Sequence, residues 1–403
     1  MIAAYLLPYP VRGIRAPYLW IFYKMLADLN EPVWFWLSKD YLADPAVFVA
    51  EHRWEVAEHT QKHYGYGIPD QDRLTRHQYD FLPAGLFEKW LTECQGNPIA
   101  VFRRLLRERI PELEQFFEDA LSGCGSTLSR IEAILTWHNC PSLSAVAEHY
   151  GITVIHLEVG PLRAPLYRPT AYCDFSGVNG NTEAERRYRC QPSGTGLAIN
   201  LRQLQKFFLA RGFSCFEKGD RVGVALQVED DSNLVAYGNG YDNQAALIYA
   251  RLHFGQKVLI RGHPGSLFQV SGSAGEVDSS PDSVSFIGRC RHVVTINSSV
   301  GLEAILLGRS ATVLGQASYR FLLGVQDEAE RMNRLAFFLF AYLIPESLRF
   351  DVAYLRFRLS RPSEADIVAR HLRVYRGDDL DILEDGRSMW ELIALALKWG
   401  EEG

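Results

Sequence analysis

Gln227-Val228-Glu229-Asp230-Asp231, Arg261-Gly262-His263-Pro264 and Asn297-Ser298-Ser299-Val300-Gly301-Leu302-Glu303 each follow an apolar β-type run. Ligands of a parallel α/β sheet bind in the crevice outside the carboxyl ends of its strands, so three such motifs at one sheet edge describe a site. They would bring together a carboxylate, an imidazole and the N-terminus of a helix. His263-Pro264 stands just past the run Lys257–Ile260, and the proline fixes the backbone so that the imidazole is held at the rim. A neighbouring phosphate would keep His263 at least partly protonated and able to donate to a phosphate oxygen; a satisfied structural histidine is the plainer alternative. Asn297-Ser298-Ser299-x-Gly301 falls where the run His292–Ile296 turns into a helix over Ser299–Leu307. The free N–H groups and serine hydroxyls of that turn can bind an anion without a metal, and plain N-capping is compatible with the same residues. Glu303, one turn into the helix, could reach a ribose hydroxyl or face solvent.

Glu229-Asp230-Asp231 offers two chemistries. Adjacent carboxylates could hold Mg²⁺ beside a diphosphate, or one of them could serve as nucleophile or base. The second is preferred, because a serine-capped helix and a histidine already suit one phosphate, and no second acidic cluster lies near in sequence. A fourth piece comes from the first half, where the run Thr153–Leu157 ends in Glu158-Val159-Gly160-Pro161-Leu162-Arg163. Glu158 would face the cleft from the opposite domain, and carboxylates on opposite walls are what an acid/base and nucleophile pair at a glycosidic centre requires.

These pieces need strands to carry them. From residue 131 onward short β-type runs alternate with helical stretches, the signature of βαβ units and a parallel sheet. Ile131–Leu135 and Thr153–Leu157 read as strands around a helix capped by Ser142 and ended by Gly151. A helix over Leu201–Arg211, stopped by Gly212, leads through the connector Phe213–Asp220 to a second series. There Val222–Val228, Lys257–Ile260, His292–Ile296 and Ala311–Leu314 read as strands, with helices over Asn243–Phe254 and Ser299–Leu307. The pattern favours an α/β fold of two Rossmann-type, doubly wound halves facing a central cleft. The expected division is residues 1–212, 213–330 and a helical segment 331–403 packing back across the domains. Asp174–Gly196 is polar and too long for an ordinary connection, and reads as a functional loop over the cleft or a surface insertion. The first 130 residues are aromatic-rich and mixed α/β, without a readable motif.

Composition narrows the class. With 403 residues, 47% hydrophobic, the chain can bury cores for two domains, and Lys plus Arg at 42 against Asp plus Glu at 48 gives −6, which argues against nucleic acid as a partner. Seven scattered cysteines without a CxxC pair fit neither a disulfide framework nor a structural zinc site, and a reducing cytoplasm is the simplest home. Met1–Leu7 lacks the features of a secretory signal. The apolar run Leu335–Ile344 is far below the roughly 20 residues of a membrane helix. It reads as a buried helix between domains or as a segment dipping into a membrane surface. The ending Trp399-Gly400-Glu401-Glu402-Gly403 is consistent with one module of a longer protein.

The four pieces in this order resemble the bacterial Kdo transferases of capsule and O-antigen assembly, the KpsC/WbbB type, which are related in layout to bacterial sialyltransferases. The family shows a Glu-Asp-Gly-like turn with a following Arg, a Gln-Val-x-x-Asp stretch, a His-Pro pair and a Ser-Ser/Leu-x-Gly-x-Glu-Ala-Leu helix start. Here these are Glu158-Val159-Gly160 with Arg163, Gln227 to Asp231, His263-Pro264, and Ser298 to Ile305, over roughly residues 130 to 320. The resemblance implies a GT-B fold, with the CMP-sugar held by the second domain and the acceptor, a sugar of a lipid-linked lipopolysaccharide O-antigen or capsule polysaccharide, approached from the first. It implies CMP-β-Kdo as donor, a β-Kdo product and hence net retention by double displacement, with no metal or other cofactor. By position it makes Asp231 the nucleophile, with Asp230 adjacent, and Glu158 the general acid/base. His263, Ser298 and Ser299 would stabilise the leaving phosphate, and Glu303 would bind ribose. Kdo's own carboxylate would need an N–H or cationic partner such as Arg163 or Arg261. A cytoplasmic location follows, with peripheral contact at the inner membrane.

Two departures stand out. Val159 replaces the family's usual acidic second residue, and Gly315-Gln316-Ala317-Ser318-Tyr319 replaces a Pro-Phe-Tyr-containing turn. The competing functions are a CMP-sialic acid-dependent sialyltransferase, a sugar-nucleotide epimerase, and a non-catalytic carbohydrate-binding module of the same fold.

Overall fold

The computed structural model describes residues 1–8, 11, 18–123, 131–192, 199–210, 219–255, 257–270, 275–376 and 386–402. The chain divides into two compact units: Met1–Leu157 with Asp174–Gly177 and Phe350–Leu359, and Glu158–Cys173 with Val178–Arg349 and Ser360–Gly403.

The first unit is built on parallel strands β1 (Ile2–Tyr5), β2 (Val33–Leu37), β3 (Gln78–Phe81), β4 (Ala133–Thr136) and β5 (Thr153–Val159), the last of which runs across the unit boundary. The strand order is β5-β4-β1-β2-β3, the doubly wound arrangement with its switch point between β1 and β4. β1 and β2 read Ile-Ala-Ala-Tyr and Val-Trp-Phe-Trp-Leu and are buried throughout, as central strands covered on both faces must be. The N-terminal ammonium and Arg356 both pair with Glu132, and Arg356 also pairs with Glu31.

In the second unit, to which all of β6 (Thr170–Asp174) but its last residue belongs, Thr170 and Ala171 pair antiparallel with the short β12 (Ile344–Pro345). The remaining strands, β7 (Arg221–Ala225), β8 (Val258–Arg261), β9 (Glu276–Val277), β10 (Cys290–Thr295) and β11 (Ser310–Val313), form a parallel sheet in the order β11-β10-β7-β8-β9. This is the same doubly wound order as in the first unit, with its switch point between β7 and β10. The fold class is therefore the expected one, α/β with two Rossmann-type parallel sheets. Leu335–Ile344 is buried inside the second unit: the helix Glu328–Phe337 passes into a π-helical turn over Phe338–Tyr342, whose side chains all join the core of that unit. Among the described residues no helix is long and apolar enough to cross a membrane.

Several boundaries move from their expected positions, each for a local reason. The helix expected to begin at Ser142 covers Pro141–His149, and the Ser142 hydroxyl instead accepts the Ile110 N–H at 2.8 Å. The strand expected to end at Leu157 continues through Val159, and the Leu201 helix ends at Phe208. Most of the connector 213–220 lies outside the described residues, as do 193–198. The described part of Asp174–Gly196 is largely packed against the protein: Asp174 accepts the N–H groups of Ser176 and Gly177, and a helix forms over Ala184–Arg189.

Candidate active site

The second unit carries a cavity of about 410 Å³ outside the carboxyl ends of its strands. Of the residues singled out from sequence, Glu158, Arg163, Gln227, Asp231, Arg261, His263, Pro264, Asn297, Ser298, Ser299 and Glu303 line it. Gly301 does not line it.

The switch point explains how the motifs meet. Gln227 follows β7 and Asn297 follows β10, paired neighbouring strands whose following helices pack on opposite faces of the sheet. The Gln227 amide nitrogen donates to Asn297 Oδ1 at 2.9 Å, and the Asn297 backbone N–H donates to Gln227 Oε1 at 2.9 Å. Asn297 Nδ2 donates to the Asn233 carbonyl at 2.9 Å, and Asn243 both accepts the Gln227 N–H and donates to its carbonyl. Gln227 is thus a bracket between two loops.

Asp231 caps the short helix Ser232–Tyr237 by accepting the Asn233 N–H at 2.9 Å, which fixes its carboxylate at the cavity wall. Asp230 is buried and outside the lining. Glu229 turns away from both, accepting the Phe268 N–H at 2.8 Å, the Leu267 N–H at 3.2 Å and the Ser266 hydroxyl, so it anchors the loop after His263.

Glu158 sits near the end of β5, and its Oε1 accepts the Val159 N–H at 2.9 Å. Gly160 follows because the chain presses on β6 there: a Cβ at this position would overlap Thr170, to whose carbonyl the Gly160 N–H donates at 2.9 Å. Burial pushes the Glu158 carboxyl up to about 8, the Asp231 carboxylate adds to the rise, and the Val159 N–H, Arg163 and the buried Arg349 oppose it. A cavity that holds the raised Glu158 carboxyl beside a second carboxylate can divide the two into an acid and a base or nucleophile.

His263 is held below the ordinary imidazole value, first by desolvation and then by the charges of Arg163 and Arg261, against the pull of Asp231 and Glu229. The protein's own groups therefore favour the neutral ring, and the partial protonation expected from sequence applies to a ring beside a phosphate. The Gly265 N–H donates to Nδ1 at 3.0 Å, which puts the proton of the neutral ring on Nε2.

Ser298 is the N-cap of the helix Ser299–Leu306, accepting the Val300 N–H at 3.3 Å. Among the described residues the Ser299 N–H has no partner, and it is one of the donors a helix N-terminus offers to an anion. Glu303 is 5% exposed, accepts from Tyr167 at 3.0 Å, Ser283 at 2.5 Å and Ser299 at 3.4 Å, and is raised by burial against those hydrogen bonds. It is a braced wall residue rather than a solvated helix position.

Gly301 acts one layer back. The Tyr319 hydroxyl donates to the Ser298 carbonyl, and a Cβ at Gly301 would overlap that hydroxyl. Gly301→Ala should displace a buried tyrosine and loosen the Ser298 cap, costing about 1–3 kcal/mol of stability as overpacking does. Thermal unfolding checks this, and an unchanged midpoint would refute it.

Sequence reasoning missed Tyr167, Tyr172, Asn179, Asp282 and Ser283, which also line the cavity. Asp282-Ser283-Val284-Ser285 was a readable cap signal, since Asp282 accepts the Ser285 N–H. The departing loop contributes Ala317, Ser318 and Tyr319 to the lining, with the Ser318 hydroxyl donating to Tyr172 at 3.1 Å.

Two known families match parts of the chain. Residues 4–183 match the glycosyltransferase 99 family N-terminal domain, and residues 278–335, which carry the serine cap, match the capsule polysaccharide biosynthesis protein family. Fold, site and family matches together liken the chain to glycosyltransferases of the capsule polysaccharide class. Within that class the chain resembles the KpsC/WbbB-type Kdo transferases, as its motifs implied. The KpsC β-Kdo 2,7 transferase of Thermosulfurimonas dismutans is similar at 17% identity, covering 61% of this chain and 89% of that one with a TM-score of 0.41. The β-Kdo 2,4 transferase of the same KpsC is similar at 14% identity over 57% and 87%, with a TM-score of 0.38. The UDP-GlcNAc 2-epimerase of Methanocaldococcus jannaschii follows at 11% over 89% and 100%, with a TM-score of 0.35. No curated protein matches the chain.

Proposed function

We propose that the protein is a retaining glycosyltransferase that moves β-Kdo from CMP-β-Kdo to a sugar of a lipid-linked bacterial O-antigen or capsule polysaccharide, at the cytoplasmic face of the inner membrane. The observation that carries this reading is the pairing of Glu158 and Asp231 in one cavity, where the charge of Asp231 helps hold a proton on Glu158. The Asp231 carboxylate attacks the anomeric carbon of Kdo and displaces CMP. The departing phosphate is received by His263 Nε2–H, the Ser299 N–H and the serine hydroxyls, and takes the Glu158 proton. Glu158, now a carboxylate, accepts the proton of the acceptor hydroxyl as that oxygen attacks the same carbon and releases Asp231. Two inversions give net retention. Glu303 lies within the same wall for the ribose hydroxyls.

No step requires a metal, since the leaving group is one phosphate and the helix cap and imidazole supply its donors. Acceptor-dependent CMP release tests the reading. Wild-type protein should release CMP from CMP-Kdo with a lipid-linked oligosaccharide present and from no other nucleotide sugar at a comparable rate. Release from a CMP-sialic acid donor in place of CMP-Kdo would replace this reading with a sialyltransferase, and release from neither would overturn it.

A further inference from the structure

Three of the residues lining the cavity are basic: Arg163, Arg261 and His263. Their partners differ. Arg261 Nη1 donates to Asp278 Oδ2 at 2.8 Å and to the Ser280 carbonyl at 3.0 Å, and Asp278 is itself shielded from solvent and shared with Arg289. The Arg261 charge is therefore already matched inside the protein. His263 is neutral by preference and commits Nδ1 to the Gly265 N–H. Arg163 uses Nε on the Gly160 carbonyl at 3.2 Å, an uncharged partner, and among the described residues no carboxylate pairs with it. Its two terminal nitrogens remain available as a fork.

That fork stands in acidic surroundings. Glu158, Asp231, Asp282 and Glu303 line the same cavity, and the Arg163 charge is felt at Glu158, Tyr172, His263 and Glu303. A sugar with a carboxylate on its anomeric carbon must bring that carboxylate within reach of Asp231 during attack, and two like charges there repel unless a cation lies between them. A planar guanidinium with both terminal nitrogens unengaged matches a carboxylate bidentately.

Resting on the functional reading above, we propose that Arg163 is the specificity residue of the donor site: it binds the C1 carboxylate of a 2-keto-acid sugar, leaving the phosphate to His263 and the serine cap. The site thereby selects nucleotide-activated ulosonic acids and rejects nucleotide-activated aldoses, which have no carboxylate to neutralise the fork.

Arg163→Met and Arg163→Lys test this with two ligands, CMP-Kdo as substrate and CMP alone as inhibitor. Arg163 is exposed, so both variants should fold, which the melting temperature checks. Arg163→Met should lower kcat/KM for CMP-Kdo on the order of 100-fold, while the inhibition constant of CMP stays within about threefold of wild type. Arg163→Lys, which keeps the charge but not the fork, should fall between them. Parallel weakening of CMP would place Arg163 on the phosphate and overturn the proposal, as would unchanged CMP-Kdo kinetics in Arg163→Met. If wild type takes a CMP-linked sialic acid instead of CMP-Kdo, the donor reading fails and this one stands, provided Arg163→Met loses that donor selectively. Wild-type turnover confined to a nucleotide sugar without a carboxylate would sink both.

Discussion

Asp231→Asn is expected to remove the covalent intermediate and nearly all turnover. After mixing with CMP-Kdo, intact mass should show wild-type protein carrying one added sugar and the variant none, with the steady-state rate falling on the order of 10⁴-fold or more, as for loss of other enzymic nucleophiles. The substitution isolates chemistry from folding. Asp231 caps the Ser232–Tyr237 helix through the Asn233 N–H, and asparagine caps about as well as aspartate, so the melting temperature should move by no more than about 2 °C. Asp230→Asn is the matched control. Asp230 is buried outside the cavity lining, so that variant should keep the adduct whatever it does to stability. An adduct that survives in Asp231→Asn and vanishes in Asp230→Asn would move the nucleophile by one residue.

Glu158→Gln should cost about 10²–10⁴-fold in turnover, the range of a lost general acid/base, and it should also change the pH dependence. With its carboxyl near 8, Glu158 in the free protein holds a proton at neutral pH, so wild-type kcat/KM should fall as pH rises through about 8. The residual activity of the variant should lack that alkaline limb. Stability moves with the same proton. The native carboxyl lies above its ordinary value of 4.5, so the stability that goes with holding the proton is complete below 4.5 and is lost as pH rises through about 8. Glutamine cannot ionise. The melting-temperature advantage of Glu158→Gln over wild type should therefore widen from pH ~5 to pH ~9, and a difference independent of pH would show that Glu158 is not the group whose ionisation is suppressed.

Much of this site was legible because its motifs are local. Strand ends, a His-Pro turn and a serine cap are written in consecutive residues, and the doubly wound order gathers them at one edge. What the sequence concealed depends on contacts between distant residues. Leu226-Gln227-Val228 is apolar enough to extend a strand, yet β7 ends at Ala225 because Gln227 turns to meet Asn297, 70 positions later. Glu158 looked like a strand terminator, but the strand persists through Val159 and Gly160 then meets β6. Ser142 had every mark of a cap, and only the fold could show that Ile110 claims its hydroxyl. Tyr167 carries no local signal for the cavity, since its link is Glu303, 136 positions later.

The hydrogen bonds that brace the loops after β7 and β10 behind the reactive groups run between neutral amides: the side chains of Gln227, Asn243 and Asn297 and the backbone carbonyl of Asn233. Protonation of Glu158, arrival of a doubly anionic donor or a change in ionic strength alters nothing in those bonds directly. Charge can build up and move at the mouth of the sheet while the scaffold that spaces Asp231 from the serine cap keeps its dimensions, so the chemistry and its mounting are electrically decoupled.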